Sequence, residues 1–343
     1  MKKMICLIAI ILTIAKLNAA VLLVNNLAGG PGQYTQINDA MAAASPGDTI
    51  YVSGSNVTYG TFNITKSIAI IGPGTYSDKQ NPFAAMLNGF TCDNNISNIK
   101  IKGFLLVDDA NFTGTTGVSN LEMVGNVFNQ FLTFNGASNF SLINIANNIF
   151  PNASLDKIEF VNSSGFSNVT IQNNILFGSI RSLNAPNSII NNNIFINITN
   201  AFDAFGAYQF ANVMIKDNIF YNSNPIPSTT NCTYQNNISY STSITYPLMT
   251  GSGNLDNVNP LFVNVLSGNY TTAFNFHLQA GSPGIGASSI GDDIGFYGGS
   301  FGRSVSGETL NMPVIRVMDV QNQNVPQTGN VNVKVRSTKS RTN

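Results

Sequence analysis

Apolar and polar residues alternate by two in short bursts along most of this chain, and the bursts repeat. The segments NIKIKGF from Asn98, NLEMVGNVF from Asn120, NVTIQNNILF from Asn168, NSIINNNIF from Asn187, NVMIKDNIF from Asn212 and NCTYQNNIS from Asn231 follow one plan. Each opens on Asn, alternates apolar with polar, reaches a Gly, Asn or Asp, and usually closes on Asn-Ile or Asn-Val with an aromatic. NFSLINIANNIF from Asn139 ends the same way and, aligned on its Asn, carries two or three extra residues. A period of two is that of a β-strand. Leu121 and Met123, Val169 and Ile171, Val213 and Ile215, and Cys232 and Tyr234 should therefore face one side, with Glu122, Thr170, Met214 and Thr233 on the other.

The turn position of the motif is held by Gly103, Gly125, Asn147, Asn173, Asn192, Asp217 and Asn236, at spacings of 22, 22, 26, 19, 25 and 19 residues. A mean near 22 residues is one coil of a parallel β-helix, and the leucine consensus of the other solenoids with this period is missing. The fold class expected is all-β: a right-handed, single-stranded parallel β-helix with an N-terminal capping helix and a short C-terminal β tail. Gly, Asn and Asp suit a sharp left-handed turn. Stacked Asn side chains can also hydrogen-bond from coil to coil as an asparagine ladder, satisfying amides that would otherwise be buried without partners. Cys92 and Cys232 stand roughly six coils apart, about 29 Å at ~4.8 Å per coil, beyond the ~7 Å reach of a disulfide. Two thiols are expected, at least one of them buried.

A solenoid must cover its ends. YTQINDAMAAA, from Tyr34 to Ala44, has helical spacing, with Ile37, Ala40, Met41 and Ala44 on one face, Thr35 as N-cap and Ser45-Pro46-Gly47 as the stop. DTIYV from Asp48 and SIAIIG from Ser67 should begin the strands. With both ends covered, a monomer is expected. Past Gly299, VIRVMDV from Val314 and VNVKV from Val331 alternate again; they suit a hairpin packed on the last coil or a separate attachment or export tail.

The first residues change the picture of location. Met1-Lys2-Lys3, the apolar run Met4–Ile14 and the small, polar Ala15–Ala20 have the three-part form of a secretory leader. The run is too short for the roughly 20 residues of a spanning helix. The domain reading is a leader over 1–20, a β-helix over 21–300 and a tail over 301–343, with cleavage near Ala19 or Ala20 and a secreted or cell-surface mature chain. Losing Lys2, Lys3 and Lys16 leaves the 16 acidic residues in slight excess. With charged residues at only 9%, nothing is available to neutralise a phosphate backbone, so nucleic acid is excluded as a partner. No transmembrane segment is expected in the mature chain.

GPGQYTQINDAMAAASPGDTIYV from Gly30 resembles the opening segment of secreted proteins of the pectin-lyase-like, right-handed parallel β-helix superfamily, and FHLQAGSPGIGASSIGDDIGFYGG, Phe276 to Gly299, resembles the closing segment of many bacterial members. With the repeats, the likeness covers about residues 21 to 300. It implies the fold and leaves activity open, because the superfamily includes lyases, hydrolases, epimerases and adhesins.

Uronate lyases of that superfamily pair acidic Ca²⁺ ligands with a Lys or Arg base, and its hydrolases use clustered carboxylates. The best candidates here are Asp108 and Asp109 in a loop, followed one coil on by Glu122 at the outward phase of Lys100. A solvated loop and a surface ion pair account for the same residues. Lys157 and Glu159, two apart, read as a solvated pair on one strand face; Asp292-Asp293 reads as a turn; and His277, the only histidine, reads as structural. Without Trp, sugar stacking would fall to residues such as Phe205, Tyr208 and Phe210, which a packed loop explains equally. The reading preferred is a non-catalytic protein that contacts polysaccharide, cell-surface glycan or another surface. The alternative is an extracellular polysaccharide lyase or glycoside hydrolase acting on a uronate-containing polymer. No cofactor is expected, and Ca²⁺ enters only with the lyase alternative.

Overall fold

The computed structural model describes residues 19–75, 83–92, 95–114, 117–136, 139–153, 157–161, 165–204, 209–226 and 229–299, with the backbone of two further strands, Pro313–Val320 and Val333–Lys339. The chain winds as an all-β parallel solenoid of about eight turns. Each full coil lays one strand in each of three parallel sheets: a long sheet of twelve strands, a second of eight and a third of seven. In one coil these are Val118–Val124, Val127–Phe128 and Leu132–Gly136. Residues one coil apart pair in register, as Leu121 does with Ile99 and Ile143.

The inward residues are those the alternation assigns: Leu121, Met123, Val169, Ile171, Val213, Ile215 and Tyr234 are buried. Stacking coil on coil turns them into ladders. On the third sheet Phe62, Phe90, Phe112, Phe134 and Phe160 follow one another at centroid separations of 5.7, 5.3, 5.2 and 5.2 Å. Burying each ring contributes about 1.5–3 kcal/mol, and each ring pair adds about 0.5–1.5 kcal/mol.

The corner after the long sheet carries the turn column. Gly103, Gly125, Asn147, Asn173, Asn192, Asp217 and Asn236 all have φ between 50° and 79°. The next residue builds the asparagine ladder, from Asn126 through Asn148, Asn174, Asn193, Asn218 and Asn237 to Asn254. From Asn126 to Asn237, the backbone N–H and the Nδ2 amide of each donate to Oδ1 of the asparagine one coil on, at 2.9–3.2 Å. The side-chain amide also donates backward, as from Asn148 to Met123 O at 2.9 Å. A buried backbone turn is thereby satisfied without water.

A second left-handed column opens the long strands: Asn98, Asn120, Leu142, Asn168, Asn187, Asn212 and Asn231, at φ between 52° and 59°. This revises the alignment of the copy at Asn139. That copy has no extra residues; Leu142 stands in its Asn position, and Ile143 pairs with Leu121. The insertions of the longer coils fall in the loops between sheets.

The ends differ in detail from the sequence reading. A strand, Val21–Val24, precedes the helix and forms the first edge of the long sheet. The helix α1, Ile37–Ala43, buries Ile37, Ala40 and Met41 over the first coil as expected, but its N-cap is Gln36, not Thr35. Lys66 Nζ donates to Ala42 O and Ala44 O at 2.7 and 2.6 Å, closing the helix C-terminus where a cation is favoured. At the far end, Cys232 lies in the interior column yet is only half-buried, because the last strand, Gly251–Ser252, covers Tyr234 and Gln235 and stops short of it. Cys92 is buried, and both cysteines carry thiols. Pro313–Val320 and Val333–Lys339 pair antiparallel.

The closing segment covers a side of the solenoid. The isoleucine after each of the five ladder asparagines from Asn148 to Asn237 points outward from the second sheet, and Ile149, Ile175, Ile194, Ile219 and Ile238 are buried beneath Phe262, Phe274, Phe276, Ile294 and Phe296. The strap then runs back along the turn column from the coil of Asn236 to that of Asn173. Asn236 Nδ2 donates to Ala287 O at 3.0 Å, and Asn173 Nδ2 donates to Phe296 O and Gly298 O at 2.8 and 2.7 Å. Between them, Asp217 accepts the Ser289 N–H and hydroxyl, both at 2.6 Å. Gly295 stands at φ 95°, and an added Cβ would lie 2.7 Å from Ile219 Cδ1, so a side chain there would be strained and would displace Ile219.

Candidate functional site

The four candidate residues fall in two places on the coil. Glu122 and Lys100 are cross-strand neighbours on the outward face of the long sheet and form a salt bridge with side chains 36% and 43% exposed. Such pairs contribute about 0–1 kcal/mol. Asp108 and Asp109 lie at the corner between the second and third sheets, both exposed. Asp109 Oδ1 accepts the Phe131 N–H from the next coil at 3.2 Å, so this carboxylate helps to hold the corner.

Two coils on from Asp109, Lys157 occupies the equivalent corner position, since Ala110, Leu132 and Ile158 pair coil by coil. The strand it precedes begins at Ile158, so Lys157 sits in the corner column, not on a strand face with Glu159. Its side chain is buried, its Nζ donates to Asn129 O at 3.2 Å, and it lies 5.4 Å from the centre of the Phe131 ring. Burial pushes its amine below the usual lysine range, and the Asp109 charge opposes that shift. The expected solvated Lys157–Glu159 pair is thus corrected: Glu159 is held instead by Arg181, one coil on, at 3.0 Å.

The third sheet presents the other chemically distinct surface. Its outward column runs Asn63, Thr91, Asn111, Thr133, Glu159, Arg181 and Asp203, paired coil by coil. The first four are neutral hydroxyls and amides, and Thr91 Oγ1 donates to Asn63 Oδ1 at 3.2 Å. They stand at the coil repeat of about 4.8 Å, with the phenylalanine ladder on the inner side of the same sheet.

Among the described residues no group of three or more His, Cys, Asp or Glu is placed to hold a metal ion. Ca²⁺ takes six to eight oxygens, and Asp108 and Asp109 gather no third carboxylate at their corner. Phe210 is buried, stacked 4.5 Å from Phe202, while Phe205 and Tyr208 lie outside the described residues. His277 stacks on Tyr297 at 3.8 Å, and burial holds its imidazole below the ordinary value against the pull of Asp293. Asp293 Oδ1 accepts the Gly286 N–H at 3.0 Å, closing a turn of the strap. Among the described residues no helix is long and apolar enough to cross a membrane.

Sequence reasoning missed the burial of Lys157 and the covered isoleucine column. The second had a visible signal: Asn-Ile-Phe puts two apolar residues side by side on opposite faces of a strand, which marks a sheet covered on both sides. Neither the protein-family models nor the curated proteins give a match to this chain.

Proposed function

We propose that this protein acts outside the cell as a rigid, non-catalytic β-helix that lays its third sheet against a polysaccharide. The observation that carries this reading is the neutral column Asn63, Thr91, Asn111 and Thr133, a row of fixed donors and acceptors for sugar hydroxyls. Fixed groups on a rigid scaffold bind without the entropy cost of ordering them. The leader-like first residues and the resemblance to the pectin-lyase-like superfamily support the location and the class of ligand. Affinity electrophoresis through gels containing neutral and uronate polysaccharides tests it. Retardation by a neutral glycan, lost in Thr91→Lys/Thr133→Lys, is expected; a wild-type chain retarded by none of the polymers refutes it.

A second reading, cleavage of a uronate polymer, draws on one observation: Lys157, with its amine below the usual range, lies near Asp109. A β-elimination needs a base of that kind. Absorbance from new double bonds on pectin or alginate, with and without Ca²⁺, and its loss in Lys157→Met and Asp109→Ala, would establish this reading over the first.

A further inference from the structure

Ala20 and Asp48 meet at the first edge of the long sheet. The backbone nitrogen of Ala20 donates to Asp48 Oδ1 at 2.7 Å, and the Ser45 N–H donates to Oδ2 at 2.7 Å. Ala20 is itself fixed in the sheet, because its carbonyl accepts the Thr49 N–H at 2.8 Å. Just beyond it the strand edge is covered: Leu23 N–H donates to Gln33 Oε1, and Leu23 O accepts the Gln33 and Tyr34 N–H groups. Among the described residues Ala20 is thus the first bonded into the solenoid, while Ala19 and Ala20 remain exposed and Asp48 is buried. The hydrogen bonds from Ser45 and Ala20 hold the Asp48 carboxyl below the usual carboxylate range; desolvation works against them and Lys66 with them.

We infer that the leader is removed between Ala19 and Ala20, and that the α-ammonium created there pairs with Asp48 to lock the first strand onto the sheet. The inference rests on the exported reading above. The step is a hydrolysis: water adds across the Ala19–Ala20 peptide bond in the active site of a leader peptidase, Ala19 leaves as a carboxylate with the leader, and the Ala20 nitrogen is protonated to an ammonium. A hydrogen bond from a neutral amide to the Asp48 carboxylate becomes an ion pair in which donor and acceptor are both charged. A cut one residue later would carry this nitrogen away with the leader.

The full chain expressed with its leader in an exporting host, followed by N-terminal sequencing and intact mass of the mature product, tests the cut. Ala20 as first residue is expected; Val21, any other residue, or a retained leader overturns the inference. Thermal midpoints between pH 6 and pH 10 test the ion pair. An α-amine has an unperturbed pKa of about 7.7–8.0, and Asp48 raises it in the folded state. The stabilisation is therefore full below that range and is lost as pH rises through the folded value. The charges facing the pair are Asp48 itself and Lys66. Mature wild type should lose several degrees above pH 8 and Asp48→Asn should not; identical profiles overturn the ion pair. Failure to bind polysaccharide leaves the first residue of the mature chain untouched, so the two readings fail separately.

Discussion

Asn174 directs both its backbone N–H and its Nδ2 amide at a single atom, Oδ1 of Asn193 one coil on, each at 2.9 Å. Asn193 in turn donates to Ile171 O at 2.9 Å and to Asn218 Oδ1 at 3.0 Å. One residue therefore clamps three coils, and its loss orphans buried groups above and below. Asn193→Ala should cost about 3 kcal/mol, since each unsatisfied buried group costs about 1–3 kcal/mol. Urea denaturation measures it, and a loss below ~1 kcal/mol would show that water takes over the ladder's bonds.

Leu142 interrupts the outer left-handed column at φ 55° with 57% of its surface exposed. A branched side chain in that conformation costs about 1–2 kcal/mol, and exposure returns little in burial. On either side, Asn120 Nδ2 donates to Asn98 Oδ1 at 2.8 Å and Asn231 Nδ2 donates to Asn212 Oδ1 at 2.6 Å. Leu142→Asn should therefore raise stability by about 1 kcal/mol. An unchanged or lowered urea midpoint would mean that Leu142 makes a contact worth its strain.

Asp217 holds the middle of the strap through Ser289. Asp217→Gly removes the carboxylate that binds Ser289 while keeping the left-handed backbone free of strain. Hydrogen exchange over 286–296 should accelerate at least about tenfold, since hydrogen bonds to a charged group contribute ~1.5–3 kcal/mol. The interior ladders should keep their protection. Equal exchange in the two proteins would assign the strap's hold to the isoleucine column and the Asn236 and Asn173 amides.

His277 makes the strap sensitive to acid. Burial keeps its imidazole below the ordinary value in the folded chain, so the unfolded chain takes up a proton first as pH falls. The stabilisation is present above about pH 6.5 and is lost as pH falls through the folded value. His277→Phe retains a ring against Tyr297 and removes the titration. The wild-type thermal midpoint should drop more steeply than the variant's between pH 7 and pH 5; parallel curves would refute this.

The sequence by itself determined the winding. A period of two within each burst and a repeat near 22 residues between bursts admit one way to bury every apolar face, and Val169, Ile171, Val213 and Ile215 lie inside a common tube as that periodicity requires. Gly103 through Asn236 were legible as turns because few residue types tolerate their backbone angles. The tertiary structure alone decided what depends on neighbours distant along the chain. It separated Asp108 and Asp109 from Lys100 and Glu122, drew Lys157 into a corner away from Glu159, and laid the strap over the isoleucines of the second sheet. The physical reason is range: alternation and turn preference act within one strand and its turn, whereas proximity between corners and straps is fixed only after each coil's length and stacking are set.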